Sequence, residues 1–357
     1  MAAALPSSIL AEARARHVLR ASRLPYKGPL ERASSTRNEI WLTERHVVRV
    51  NRSVSHRLRR EAALYPHLPP APWAPRLVTA GRSDQDYLVV ERRPGRPLAH
   101  CWPDLDQGQR RAAVAQLATC LRAVHATATP ADLIPLPAAP QLLDGAAPPA
   151  VGPLLAGLDR LAADPNADAG VITLARDQVT AFADELEPFD STHLIHGDLT
   201  FENVLWDGAV ISAVVDFEWC RGAPADLDLD VLLRCCAFPE AHVAAEHADR
   251  SRADDYAPVV AWLAEDYPEL FAHPGLARRL WLYSLAFDVR EALEAPLPAV
   301  RSQVPALHPW NRLVHQVSTG GHTALLLERA GLLNGDGDGD GDGGARRAPG
   351  APAPETD

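Results

Sequence analysis

The chain has 357 residues, 47% apolar and 23% charged, a globular mix that can bury a sizeable core and excludes disorder as the dominant state. No apolar run reaches the roughly 18–20 residues of a membrane span, and Met1 to Leu10 lacks the basic start and apolar stretch of a secretory signal. Residues 1–125 carry 21 basic and 10 acidic side chains and the remainder 14 and 36, so the first part suits phosphate and the second a cation. Five cysteines, Cys101, Cys120, Cys220, Cys235 and Cys236, form no C-x-x-C pair, which points to reduced thiols in a cytoplasmic protein. Lys27 is the sole lysine beside 34 arginines, so an arginine alone says little about selection for a guanidinium.

Residues 7–22 form an amphipathic helix candidate, with Ile9, Leu10, Ala13, His17 and Leu19 on loose helical spacing. Glu39–Thr43 and His46–Val50 are β-rich and separated by Glu44-Arg45, a hairpin pattern. His56–Tyr65 reads as a helix ended before Pro69-Pro70, and Arg76–Ala80 and Tyr87–Glu91 read as two further strands. Pro94-Gly95 then breaks the chain at a hinge. Beyond residue 105 the pattern is helical: 109–125, 154–161, 171–187, 227–237, 259–266 and 276–294 are helix candidates. A compact β segment from Leu194 to Val215 interrupts them, and 128–152 is a Pro- and Ala-rich connection. From Asn334 onward the chain is a low-complexity acidic Gly/Asp/Pro tail with the composition of disorder.

One segment carries chemistry. In His196-Gly-Asp-Leu-Thr-Phe-Glu-Asn-Val-Leu205, Asp198 precedes Asn203 by five residues, and Asp216 follows in Ala213-Val-Val-Asp-Phe-Glu218. A loop and hairpin would gather two carboxylates and an amide, the set phosphoryl transfer needs: one group to orient a hydroxyl, and hard oxygens for Mg²⁺ on the phosphates. Protein kinases have the same Asp-to-Asn spacing, with arginine where this chain has Gly197.

With its H-G-D-L-x-x-x-N-x-L run at His196–Leu205 and D-F-E at Asp216–Glu218, the chain resembles the aminoglycoside phosphotransferase family, over about residues 30–320. That resemblance implies an α+β, two-lobed protein-kinase-like fold. Residues 1–93 would be a small β-rich nucleotide-binding lobe, 94–333 a larger, mainly helical catalytic and substrate-binding lobe, and 334–357 a tail outside both. By the same resemblance Asp198 is the catalytic base, Asn203 and Asp216 hold Mg²⁺, and His196 supports the loop. Ser35 and Thr36 sit where the family has its nucleotide-covering loop, Arg49 where it has the phosphate-gripping lysine, and Glu61 where it has that lysine's partner. Arginine for lysine changes shape and reach at that position. Glu91 to Arg93 match the hinge whose backbone meets adenine. Asp226 and Asp228 both approximate the family's loop-bracing acid, and the sequence leaves the choice open.

The implied activity is an ATP-dependent O-phosphotransferase, GTP being a second possible donor, acting on a hydroxyl of a small molecule. An aminoglycoside or similar antibiotic, with resistance as the outcome, is the first expectation. Alternatives are a metabolic kinase of the choline, homoserine, thiamine or glycated-amine type, or an inactive nucleotide-binding relative. The acidic second part suggests a cationic acceptor held by Asp288, on the apolar stripe of helix 276–294, and by Glu291 beside it. The other reading of Asp288 is an internal pair with an arginine. No nucleic-acid module accompanies the basic first part, Arg57, Arg59 and Arg60 included, so neither nucleic acid nor membrane is an expected partner, and the assembly is a monomer or homodimer.

Overall fold

The computed structural model describes residues 7–33, 35, 38–131, 133, 142–144, 149–295, 297–300 and 304–333. Alternating Ile, Val, Trp and Leu residues in the first hundred positions fold as an antiparallel sheet. Its strands are β1 (Glu31–Ala33), β2 (Asn38–Leu42), β3 (His46–Asn51), β4 (Leu77–Arg82) and β5 (Asp86–Glu91), in the order β1-β2-β3-β5-β4. The expected hairpin forms as read, with Trp41 opposite Val48, and β5 pairs along the other edge of β3, with Val48 opposite Val89. β1 had no sequence signal, because Glu-Arg-Ala is too short and polar to show a period.

Helix α1 (Ser7–Ala21) covers one face of this sheet. Its buried stripe is Ala11, Ala15, Val18 and Leu19, packed with Trp41, Val48, Val50 and Val89. That stripe is rotated from the expected one: Ala13 and His17 are exposed, and Leu10 is 45% exposed. Small alanines allow the close approach that the larger Leu10 would block. Helix α2 (Arg57–Leu64) packs on the other side, burying Leu58 and Leu64 in the main core.

A short strand, β6 (Arg96–Pro97), and helix α3 (Leu98–Cys101) lead into the helical part. There α4 (Gln107–His125) opens with a capping box, Asp106 and Gln109 satisfying each other's backbone amides. Helices α5 (Gly152–Ala162) and α6 (Ala169–Phe182) precede the β segment. That segment divides: β7 (Leu194–Ile195) pairs with β10 (Arg221–Gly222), while β8 (Val204–Trp206) and β9 (Ile211–Val214) form a hairpin joined by β6. Then come α7 (Asp226–Ala237), α8 (Ala253–Tyr256), α9 (Val259–Asp266) and α10 (Leu276–Glu294), close to the expected spans where spans were expected. Helices α11 (Pro309–Thr319) and α12 (Gly321–Arg329) were not anticipated; they pack on α10, where the Trp281 indole donates to the Gln316 carbonyl at 3.0 Å. All five cysteines are buried and unpaired. Among the described residues no helix is long and apolar enough to cross a membrane. The 334–357 tail lies outside the described residues.

Two of the three arginines of α2 tie it to the helical part, and the third pairs with the sheet beneath it. The Arg60 guanidinium donates to the carbonyls of Cys220 and Leu133. Arg57 lies 4.5 Å over the Trp219 ring, and Arg59 pairs with Asp86 at 3.1 Å.

Candidate active site

The loop after β7 is held from three sides. Leu199 and Phe201 are fully buried, Phe201 edge-on to Trp102 at 4.8 Å, which anchors the loop by about 1.5–3 kcal/mol per apolar side chain. Gly197 has φ +81°, and a Cβ there would lie 2.5 Å from the Trp219 carbonyl oxygen. Both constraints explain a glycine where protein kinases carry arginine. Below the loop, the wholly buried Asp228 carboxylate accepts the amides of His196 and Gly197 at 2.7 Å each and His125 Nε2 at 3.0 Å. Burial opposes the charge on Asp228, but the His125 hydrogen bond and charge, His196 and the Gly197 amide together hold its pKa below the usual value. Asp228 is therefore the loop-bracing acid. Asp226 instead binds Arg279 and accepts from the Tyr283 hydroxyl at 2.9 Å, tying α7 to α10.

His196 has the expected supporting place. It is fully buried, its Nε2 lies 2.9 Å from the Val215 carbonyl, and its Nδ1 accepts the Asp198 amide at 3.3 Å. Burial lowers its pKa, so one neutral tautomer satisfies both contacts and joins the Asp198 loop to the strand before Asp216. Asn203 Nδ2 donates to the Asp198 carbonyl at 2.8 Å, and the Asn203 carbonyl accepts the Val215 amide at 2.9 Å. The hairpin register, Val204 opposite Val214, thereby carries Asn203 and Asp216 to the same end as Asp198.

Asp216 adopts a left-handed conformation, φ 66° and ψ 54°, uncommon for a residue with a side chain and a strain that functional sites retain. Its Oδ1 accepts from Arg49 Nη2 at 2.5 Å. Arg49 Nη1 reaches both Glu61 oxygens at 2.8 and 2.7 Å, and the Tyr65 hydroxyl donates to the same carboxylate. Burial opposes the Arg49 charge, yet Asp216 and Glu61 outweigh it and raise its pKa well above normal. Burial also lifts Glu61, against the pull of Arg49. With two oxygens on one guanidinium and a donated hydroxyl, we take the ionised pair as the ground state. Glu218, unassigned by the sequence reading beyond its motif, closes the cluster: it accepts from Asn38 at 3.1 Å and lies 3.5 Å from Arg49.

The donor set suits Mg²⁺, a hard cation that takes one or two protein oxygens plus substrate phosphates. The Asn203 amide nitrogen is spent on the loop, and among the described residues nothing donates to its Oδ1 or to Asp216 Oδ2. Two hard oxygens thus share the hairpin end beside Asp198.

Of the nucleotide-side residues, Ser35 accepts the Asn38 amide at 3.3 Å, and Thr36 lies outside the described residues. At the hinge, the Glu91 and Arg92 amides are committed to the Arg76 and Arg45 carbonyls, while the Arg93 amide has no partner among the described residues. The Arg93 side chain is structural, donating to the Ser212 carbonyl at 3.3 Å and to the Pro72 carbonyl.

A cleft of about 240 Å³ opens beside Asp198, lined by Trp219, Arg221, Asp230, Arg234, Arg290 and Glu291 among others. Glu291 is at this wall, 3.1 Å from Arg290. Asp288 is not. It is fully buried and shared by Arg234 at 3.1 Å and Arg312 at 2.8 Å, so the expected acceptor contact is corrected to an internal ion pair. The acidic surplus of the second part does not collect here either: carboxylates and guanidiniums alternate around the cleft. The sequence reading missed Arg221 and Arg290 because neither lies in a motif; only the β7–β10 pairing and the α10 packing bring them to Asp198.

The phosphotransferase enzyme family model matches residues 29–270. No curated protein matches the sequence. Among solved structures, the chain is similar to the ADP-bound aminoglycoside phosphotransferase APH(2'')-Ib at 15% identity, covering 88% of this chain and 99% of that one, with a TM-score of 0.57. The streptomycin–ATP–APH(2")-IIa ternary complex is similar at 15% identity over 92% and 98%, TM-score 0.56, and the GDP and kanamycin complex of APH(2")-IIIa at 15% over 90% and 99%, TM-score 0.56. At such identities the likeness shows a shared fold, a β-sheet N-terminal part and a helical C-terminal part.

Proposed function

We propose, from the premise that the chain belongs to the phosphotransferase enzyme family, that it transfers the γ-phosphoryl group of ATP to a hydroxyl of a small molecule. The observation that carries this reading is the convergence of Asp198, Asn203 and Asp216 at one hairpin end, directly under the Arg49–Glu61 pair. Asp198 would accept or orient the acceptor's hydroxyl proton. The acceptor oxygen bonds to the γ-phosphorus as the bond to the bridging oxygen breaks, and the electron pair leaves on ADP. Asn203 and Asp216 would hold Mg²⁺, which supplies positive charge against that developing on the phosphates. Arg49, beside Asp216, would present a fixed cation to the same phosphates, and the Arg93 amide, without a partner among the described residues, would be available to the base.

Several relatives are described with aminoglycosides bound, which keeps that acceptor class in view. The alternating charges of the cleft favour the second reading, a metabolic small-molecule kinase, over a polycationic antibiotic acceptor. The test is nucleotide consumption by the full chain across hydroxylated acceptors, with and without Mg²⁺. Acceptor- and Mg²⁺-dependent ADP release supports the reading; Mg-ATP binding without transfer to any acceptor rejects it.

A further inference from the structure

Around the cleft beside Asp198 the charges pair off in a definite way. Glu291 is taken by Arg290 at 3.1 Å. Asp230 lies 3.5 Å from Arg234, which also holds Asp288, and burial pushes the Asp230 carboxyl up to about 7, so it is only partly ionised near neutrality and is already paired. His242, also on the wall, is pushed down to about 4 by burial and is neutral. Of the three arginines on the wall, Arg221 is left without a carboxylate partner among the described residues.

Among the described residues nothing accepts a hydrogen bond from the Arg221 guanidinium and no carboxylate pairs with it, although it lines the cleft. Its charge is only partly answered: burial brings its pKa down to about 10, the Asp228 carboxylate offsets part of that without a hydrogen bond or ion pair to the guanidinium, and Arg290 and Arg60 repel it. A half-buried guanidinium with no acceptor of its own is a place for an anionic ligand. Its position is fixed by the fold. Arg221 sits opposite Ile195 in the β7–β10 ladder, and Asp198 follows three residues later around a turn that abuts Trp219. Trp219 also carries Arg290, whose guanidinium lies 5.1 Å over its ring.

We propose that the acceptor bears an anionic group, a carboxylate or a phosphate, beside its reactive hydroxyl, and that Arg221, seconded by Arg290, seats that anion so that the hydroxyl meets Asp198. This rests on the phosphotransferase reading and narrows its acceptor to small hydroxy acids, sugar acids or sugar phosphates, in place of the amine-bearing molecule expected from net charge. Arg221 makes no covalent step; it positions.

The experiment follows ADP release by the full chain with Mg-ATP and four acceptors: D-gluconate for carboxylate, glycerol 3-phosphate for phosphate, sorbitol as the neutral polyol and kanamycin as the polyamine. Expected is an anionic acceptor used with kcat/KM at least about tenfold above sorbitol, which of the two acids is used identifying the anion. Arg221→Gln should raise its KM by about ten- to a hundredfold, the range of a lost charged hydrogen bond, while KM for Mg-ATP is unchanged. Arg221→Lys should recover part of the loss, showing that the site is folded and reads charge, and KM for the acid should rise with ionic strength. Preference for kanamycin or sorbitol overturns the inference and leaves the transferase reading intact. So does an Arg221→Gln effect confined to kcat, which would place the guanidinium on the transferring phosphoryl group instead. No ADP release with any of the four overturns the inference, and the broader acceptor screen then decides the transferase reading separately.

Discussion

Arg49 on β3 and Asp216 after β9 meet at 2.5 Å, so one guanidinium joins the sheet, through Glu61, to the far end of the catalytic hairpin. A lysine at that position has one nitrogen and could not hold Glu61 by one arm and Asp216 by another. The arginine therefore does more than stand in for a phosphate-gripping lysine: it makes the alignment of the sheet with Asp216 part of the folded state before any nucleotide arrives.

Arg49→Met should expose the cost of that arrangement. Glu61 is fully buried, and removing its partner leaves an uncompensated charge worth about 3–5 kcal/mol. Urea denaturation measures the loss, and the double variant Arg49→Met with Glu61→Leu should regain most of it. If the double variant is no more stable than the single, the pair is not what the burial penalty acts on.

Asp198→Ala should lower turnover by about 10²–10⁴-fold while Mg-ATP still binds, because the carboxylate acts on the acceptor hydroxyl and not on the nucleotide. Turnover within about tenfold of the parent chain would take the base role away from Asp198.

Asn203→Ala and Asp216→Asn should each weaken Mg²⁺-dependent nucleotide binding, and chelation of Mg²⁺ should abolish the difference between them and the parent chain. Calorimetric titration with and without the metal reads both effects. Unchanged affinity and unchanged metal dependence in both variants would remove these oxygens from the metal site.

Asp228 sets an acid limit on stability. Its folded pKa is depressed, so its contribution is present above the unfolded value of about 3.9 and is lost as pH falls through the folded value. Stability of the parent chain should drop across that acid window, and Asp228→Asn should be less stable at neutral pH with a flatter acid limb. Identical pH profiles for the two would show that the carboxylate is not linked to folding.

Asp288→Asn should reduce stability by about 1–3 kcal/mol, since Arg234 and Arg312 keep an acceptor oxygen but lose the buried negative charge they share, and should leave the acceptor KM where it was. A raised acceptor KM at unchanged stability would return Asp288 to the substrate site.

Most strands of the sheet, the longer helices as far as α10 and the chemistry-bearing loop were legible in the sequence, whereas β1, α11 and α12 were not. Periods of two and of 3.6 residues are local properties, so the strands around Arg49 and the helices 226–237, 259–266 and 276–294 could be placed from short windows. The spacing of Asp198, Asn203 and Asp216 is equally local, because one loop and one hairpin join them. What the tertiary structure decided was which charges meet. Asp226 and Asp228 lie two residues apart, yet one faces Arg279 on α10 and the other the amides of the 196–197 turn. Asp288 showed an apolar stripe in sequence, and its fate depended on Arg312, carried by α11, a helix with no clear signal of its own. Arg221 is one arginine among many until β10 pairs with β7 and sets it beside Asp198. Burial of a helix face can be read from its own residues; the sign and partner of a charge at that face are fixed by chain segments far away in sequence, through a Coulomb energy that depends on distance and local dielectric.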